Sequence, residues 1–382
     1  MIDLGPVRAL VEPRHHELAE AAGVFGARKL SGHKHLDDDQ GARERARELC
    51  RLLGEEGWLE PIGAQDFRAC CVVRESLAFH SPLADAVFAL QALGSTPIVL
   101  AGDAKQRARW VDRAIRGEAV AAFAMTEPEA GSDVGAMQTT ARRDDSHYVL
   151  NGVKTFISNA GIADFYLLFA RTGPGEGSRG ITAFVLPADA PGFRFVRPLV
   201  LADPHPLGEI ALEDCRIPAA NRVGAEGEGF GLGMATLDRL RPTVGAAACG
   251  MAARALHEAV EHARARRQFG RPLADFQITR EKLGRMATDL VAARLLVYRA
   301  AWERDNGAER TDVEAAMAKA FATEAAQRIV DDAVQILGGR GVLAEHPVDR
   351  LYRSVRALRI YEGATEIQRL IVARHLLEDA GG

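Results

Sequence analysis

The hydrophobic period of the chain changes twice, and that change restricts its fold more than any other feature. Up to about Gly117, apolar residues recur at three- and four-residue steps, as in GARERARELCRLLGEEGW (41–58) and AKQRARWVDRAIRG (104–117), the spacing of one helix face. From about Glu118 the period falls to two. HYVLNGVKTFIS (147–158), DFYLLFAR (164–171), GITAFVLP (180–187) and GFRFVRPL (192–199) are short, rich in aromatic and β-branched residues, and set among Asn-Gly, Gly-Pro-Gly and Pro-Gly turn signals. From Gly229 the helical period returns, with Leu283, Met286, Leu290, Ala293 and Val297 marking four turns of one stripe. The order predicts a multidomain α and β protein. Its parts are an N-terminal α-helical domain over residues 1–117, a central antiparallel β domain over 118–228 and a C-terminal helical bundle over 229–382. A chain of 382 residues with 47% hydrophobic content can build such cores. The small residues of GAAACGMAARALHEAV (245–260) predict close helix packing in the bundle.

Charge narrows the function. A net charge of −4, from 48 basic and 52 acidic residues, leaves no electrostatic footprint for nucleic acid. Cys50, Cys70, Cys71, Cys215 and Cys249 form no CxxC pair and no zinc-like spacing, and their odd number argues against a disulfide framework. No metal site is expected. The N-terminal residues lack the basic start and apolar run of a signal peptide, and eighteen apolar residues never run together. The expectation is a soluble cytoplasmic protein with no membrane span.

Three segments carry chemistry. In AMTEPEAGSD (124–133), Thr126 and Ser132 offer hydroxyls and Gly131 permits close approach, which suits a planar polar ligand; an ordinary Pro-Gly loop has the same composition. In GVKTFISNA (152–160), Phe156 and Ser158 fall on one strand face, where an aromatic beside a hydroxyl suits a ring system or, equally, core packing. In LRIYEGATEIQRL (358–370), Thr365 and Gln368 have capping-box spacing, so a helix is predicted from Glu366 with Glu362 and Gly363 on the turn before it. A carboxylate there can point at a bound ligand.

Together these segments resemble the acyl-CoA dehydrogenase family, over nearly the whole chain and in the family's order: IRGE, AMTEPEAGSD, GVKTFISNA, RRQFG, QILGGRG and IYEGATEIQRL. The resemblance implies an α-helical N-terminal domain, a central β-barrel and a C-terminal four-helix bundle, with FAD between barrel and bundle in a homotetramer built as a dimer of dimers. It implies flavin contacts by Phe123, Met125, Thr126, Gly131, Ser132, Phe156 and Ser158, with Ser132 also near the thioester and Ser158 bonding the reactive ring nitrogen. Arg266, Gln268, Phe269, Gln335, Gly338 and Gly339 match segments that reach the FAD of a neighbouring subunit, and Ala364 and Glu366 match the cofactor side of the catalytic turn. Glu362 matches the catalytic base, which takes the α-proton of an acyl-CoA while a β-hydride goes to the flavin; Gly363 leaves room for the thioester. Asp238 and Arg241 match residues that touch the CoA part. Electron-transfer flavoprotein is the implied electron acceptor.

Departures from the family pattern are informative. A minority of members carry the base within the segment matching LDRLRP (237–242), but the equivalent position is Leu240, which cannot abstract a proton. Ala364 replaces a common threonine and Phe156 a common tryptophan. LADPHPLGEIALEDCRIP (201–218) lacks the usual Gly-Arg-Gly-Ser pattern and has His205 between two prolines, read here as a loop histidine. An oxidase on the same fold, or a non-catalytic flavin- or acyl-CoA-binding protein, are the alternatives.

Overall fold

The computed structural model describes residues 2–31, 38–173 and 177–379; the expected Gly-Pro-Gly turn at 173–175 lies mostly outside them. The N-terminal part is helical: α1 (Pro13–Phe25), α2 (Asp39–Glu55), α3 (Glu60–Ala64), α4 (Phe67–His80), α5 (Pro82–Ala101), α6 (Ala104–Gln106) and α7 (Asp112–Ile115). Local chemistry sets their starts. The Asp38 carboxylate accepts from the Gly41 N–H at 2.7 Å and that of Asp66 from the Ala69 N–H at 2.9 Å, each satisfying a free first-turn donor. Helix α5 is long and apolar enough to cross a membrane by composition, but most of it is buried inside the protein.

The strands are β1 (Ala121–Ala124), β2 (Thr140–Asp144), β3 (His147–Ser158), β4 (Phe165–Arg171), β5 (Ile181–Pro187), β6 (Phe193–Pro198), β7 (Leu207–Pro218) and β8 (Arg222–Val223). They form one sheet in the order β6-β7-β3-β2-β4-β5-β8, with β1 paired to β4. Two expectations are corrected here. The sheet is mostly antiparallel, but β1–β4 and the single β2–β4 pairing are parallel, and the described strands do not close into a barrel. One end is the two-residue β8, too short to extend the ladder, and the other is β6, which finishes on a proline without an N–H to donate. Asn151–Gly152, taken as a turn, lies inside β3 at a register shift, where a Cβ on Gly152 would clash with Thr139.

The C-terminal part holds α8 (Gly229–Ala265), the hairpin β9 (Arg267–Gln268) and β10 (Arg271–Pro272), then α9 (Gln277–Asp305), α10 (Asp312–Leu337), α11 (Pro347–Leu358) and α12 (Thr365–Asp379). On α9, Met286, Leu290, Ala293 and Val297 are buried, as their spacing predicts, while Leu283 at the start of the stripe is half-buried. The small-residue stretch does allow close packing: a Cβ on Gly250 would strike the Glu75 carbonyl, and one on Gly245 the Val297 side chain. Capping-box spacing at Thr365 misleads. Helix α12 begins at Thr365 itself, whose hydroxyl donates to Glu324 Oε1 at 2.9 Å, while the Gln368 amide donates to the Gly363 carbonyl at 3.1 Å.

By contacts the chain divides into two compact units. One comprises Met1–His35, Asp66–Asp85 and Asp238–Gly382, and the other Leu36–Gln65 and Ala86–Leu237. In the first, buried Glu75 on α4 accepts from Arg294 at 2.7 Å and Tyr298 at 3.0 Å, both on α9. The core of the second gathers Trp110, Met125, Phe165, Leu167, Phe169, Ile181, Val185 and Val223.

Candidate active site

Within the first unit, the turn between α11 and α12 is closed by the Thr365 N–H donating to the Arg359 carbonyl at 3.1 Å. Glu362 sits there at φ 53° and Gly363 at φ 95°. Only seven described non-glycine residues have positive φ, and Phe156, Phe269 and Glu362 are three of them. Strain of this kind persists only where the surroundings impose it, and it clusters at functional sites.

Three buried side chains impose it here. Arg241 Nε donates to the Glu362 carbonyl at 3.1 Å, Lys319 Nζ to the Gly363 carbonyl at 2.7 Å, and the Gln368 amide to both carbonyls. Arg241 also pairs with Asp238 at 2.5 Å, so two residues expected at the CoA part of a substrate form one ion pair beside the turn. Leu240 is buried.

The two carbonyls of the turn are thus engaged while the carboxyl is not. Glu362 Oε2 is buried and has no hydrogen-bond partner among the described residues. Burial raises the Glu362 pKa above the usual carboxylate range, against the pull of Arg74, Lys319 and Arg241. Arg74 is itself held by Asp85 at 2.7 Å and Thr243 at 2.8 Å. A desolvated carboxyl with a free oxygen is equipped to take a proton. Glu366 is exposed on the first turn of α12, and Ala364 is half-buried.

The second unit carries the other motif residues. Lys154 on β3 donates from Nζ to the Met125 carbonyl at 3.1 Å and to Glu127 at 2.8 Å, and the Thr155 N–H donates to the Thr126 carbonyl at 3.0 Å. Glu127 in turn accepts from the N–H groups of Gln138 and Thr139. This buried pair clamps the 125–139 loop to β3, and burial lowers the Lys154 pKa to about 8, opposed by Glu127. Gly131 and Ser132 are exposed at the loop tip.

Beyond the clamp, the β3–β7 register slips between Lys154 and Ile157. The slip turns Phe156 outward, 65% exposed, between buried Thr155 and Ile157, with Ser158 half-buried after it. Phe123 packs on Phe169 with ring centroids 5.0 Å apart. His205 is in a loop, as read, but it is not idle: its Nε2 lies 3.1 Å from Ser158 Oγ.

The remaining predicted residues lie on the first unit. Phe269 and Gly270, both at positive φ, form the tight β9–β10 turn, and Phe269 is 93% exposed. Gln335, Gly338 and Gly339 are exposed around the end of α10. Burial, with Arg340 and Arg266, lowers the His262 pKa.

Sequence reasoning missed Arg43, Arg74, Lys154 with Glu127, Lys319 and the role of Gln368. The signal available was the ionisable residue inside an apolar pattern, as at Lys154 and Lys319.

Comparison with known proteins gives the family. The family described as Acyl-CoA dehydrogenase, middle domain, matches residues 122–215, and Acyl-CoA dehydrogenase, C-terminal domain, matches residues 227–377. The 3-(aryl)acrylate reductase of Clostridium sporogenes is 42% identical over 90% of this chain and 93% of its own. The cyclohexane-1-carbonyl-CoA dehydrogenase of Geobacter metallireducens is 38% identical over 81% and 82%. Among solved structures, butyryl-CoA dehydrogenase from Megasphaera elsdenii superposes with a TM-score of 0.88 at 34% identity, over 96% of this chain and 99% of that one. The chain belongs to the acyl-CoA dehydrogenase family and is an oxidoreductase of that family. FAD and an acyl-CoA substrate are what this family implies.

Proposed function

We propose that the protein binds FAD noncovalently and removes a proton and a hydride from adjacent carbons of an acyl-CoA thioester, giving a 2-enoyl thioester, with Glu362 as the base. The observation that carries this reading is Glu362 Oε2, a buried oxygen without a partner among the described residues, on a carboxyl made more basic by burial.

The donor set fits the cofactor. A flavin needs a flat apolar face, hydroxyl donors and a place for close backbone approach. Exposed Phe156, the hydroxyls of Thr126, Ser132 and Ser158, and Gly131 with no atom of the described residues within 4 Å of a would-be Cβ meet those needs. Phe123, Met125, Thr126, Gly131, Ser132, Phe156 and Ser158 would hold it from one copy. Arg266, Gln268, Phe269, Gln335, Gly338 and Gly339 would complete it from a second copy in a homotetramer. Bound there, FAD supplies the two-electron acceptor.

The rest falls to the chain. Glu362 Oε2 takes the α-proton, while Arg241, Lys319 and Gln368 keep the turn from swinging away. The Glu362 N–H shares the charge that develops on the thioester oxygen. Gly363 keeps the thioester side free of a side chain, and Asp238 and Arg241 face the CoA part. Electron-transfer flavoprotein would then take the electrons; rapid reoxidation of reduced protein in air would instead favour an oxidase.

The test is anaerobic flavin bleaching by a panel of acyl-CoA thioesters. Glu362→Gln should retain FAD and lose turnover by at least the ~10²- to 10⁴-fold of a positioned general base, whereas Glu366→Gln should turn over like wild type. Equal rates in the two variants would remove Glu362 from the role. The relative named 3-(aryl)acrylate reductase favours a second reading, in which the same site runs towards reduction and Glu362 gives its proton to the α-carbon. Assaying the reduced protein with enoyl and arylacrylyl thioesters decides the direction.

A further inference from the structure

The loop 199–206 joins β6 to β7, and its end is fixed by the sheet. Ser158 and Leu207 are ladder partners, and the Asn159 N–H donates to the Pro206 carbonyl at 2.9 Å. That register carries the imidazole of His205, confined between Pro204 and Pro206, to within 3.1 Å of the Ser158 hydroxyl. Arg43 of α2 secures the other side. Its Nη1 donates to the Ala160 carbonyl, its Nη2 to the Leu207 carbonyl at 2.7 Å, and its Nε to Asp39 at 2.5 Å. The guanidinium lies over the Phe195 ring, 5.2 Å from its centroid. A histidine held this firmly beside a half-buried serine is more than a loop residue.

Burial drives the His205 pKa down to about 4; Asp39 opposes the shift and Arg43 adds to it, so the ring is neutral near pH 7. A neutral imidazole has one N–H and one lone pair, and a hydroxyl has one O–H and two lone pairs. Two arrangements of the pair follow. With the proton on Nε2, the imidazole donates to Ser158 Oγ and the serine O–H is free to donate outward. With the proton on Nδ1, the serine O–H donates to Nε2 and an Oγ lone pair faces outward. Passing from one to the other takes one proton from Nε2 and returns one to Nδ1 through solvent, and changes no other bond.

We propose that His205 is a positioning residue that holds the Ser158 hydroxyl towards a ring nitrogen of the bound flavin, as donor or as acceptor according to the tautomer. This rests on the reading of Phe156 and Ser158 as a flavin site. A ring nitrogen that accepts a hydrogen bond when oxidised becomes an N–H donor when reduced, and the pair can meet both forms with a directed partner. A serine without His205 keeps its hydroxyl but must order an unrestrained rotor on binding.

The experiment compares FAD with 5-deaza-FAD, in which that nitrogen is a C–H, binding to the apoprotein of wild type, His205→Phe, His205→Gln, Ser158→Ala and the double variant Ser158→Ala/His205→Phe. His205→Phe should weaken FAD binding in both redox states by about five- to tenfold, the range of one net hydrogen bond. It should leave 5-deaza-FAD binding at the wild-type level. His205→Gln, which retains a donor and an acceptor, should recover most of the loss, and the double variant should bind FAD no worse than Ser158→Ala. Equal weakening of both ligands, or additive losses in the double variant, would reduce His205 to loop packing and overturn the proposal. Wild-type protein that cannot take up FAD would overturn the flavin reading itself, a different result from FAD uptake that is indifferent to His205.

Discussion

Lys319 Nζ donates to the carbonyl of Gly363 at 2.7 Å, so a fully buried ammonium on α10 grips the turn one residue beyond Glu362. Burial lowers the Lys319 pKa to about 8, and Glu362 is the first of the neighbours that oppose this. The lysine both anchors the turn and supplies positive charge beside a desolvated carboxyl.

Lys319→Met is expected to raise the Glu362 pKa further, because a cation that favours the carboxylate is gone. The acid limb of kcat/KM for flavin reduction should move to higher pH. A limb at the wild-type position, in a variant that still folds and binds FAD, would mean that Lys319 acts on the turn through geometry alone.

Glu362 should also make stability depend on pH. Its folded pKa lies above the ordinary glutamate value of 4.5, so the folded state prefers the neutral acid. That preference contributes fully below pH 4.5 and is lost as pH rises through the folded pKa, leaving a buried charge that destabilises. Glu362→Gln should therefore melt higher than wild type at pH 8, with the gain shrinking towards pH 4. Thermal melts across that range check the sign, and a pH-independent difference would contradict it.

Gly363→Ala tests the turn itself. The residue sits at φ 95°, and a Cβ there would collide with the Gln368 amide. That amide also holds the Glu362 and Gly363 carbonyls, so displacing it adds to the backbone strain, itself about 1–2 kcal/mol for a side chain in this region. A lower melting temperature with slower flavin reduction and unchanged FAD content is expected; wild-type stability would show that the turn tolerates a side chain.

Lys154→Met leaves Glu127 buried with only the N–H groups of Gln138 and Thr139. Removing one member of such a pair costs about 3–5 kcal/mol. Urea unfolding should record that loss, and adding Glu127→Gln should return part of it. No recovery in the double variant would mean that Lys154 stabilises chiefly through its bond to the Met125 carbonyl.

What could be read in the sequence was what depends on local order. The α9 stripe, the strand segments and Glu362 before a helix follow from period and from neighbours a few residues apart. Asn151–Gly152 and the Thr365/Gln368 spacing misled because each motif fits two uses: the first marks a bulge where Thr139 crowds the strand, and the second sends the Gln368 amide to the turn carbonyls. The clamps were invisible for a different reason. Lys154 meets Glu127 across 27 residues, Lys319 meets Gly363 across 44, and Arg241 meets Glu362 across 121. Nothing in a single chain of letters pairs residues at such distances. Ser158 was legible as a hydroxyl, but its tie to His205 depends on a strand register that only the folded sheet defines.

Arg43 has a bearing on how this protein could be recombined with its relatives. One guanidinium on α2 holds the carbonyls on both flanks of the Ser158–His205 pair, Ala160 and Leu207, from 117 and 164 residues away. A chimera that exchanges the N-terminal helices while keeping the strands would sever those bonds at a seam drawn far from the chemistry. Swapping residues 38–65 should succeed only with donors that carry arginine at this position, whatever their overall identity; the α2 segment and the sheet must be inherited together.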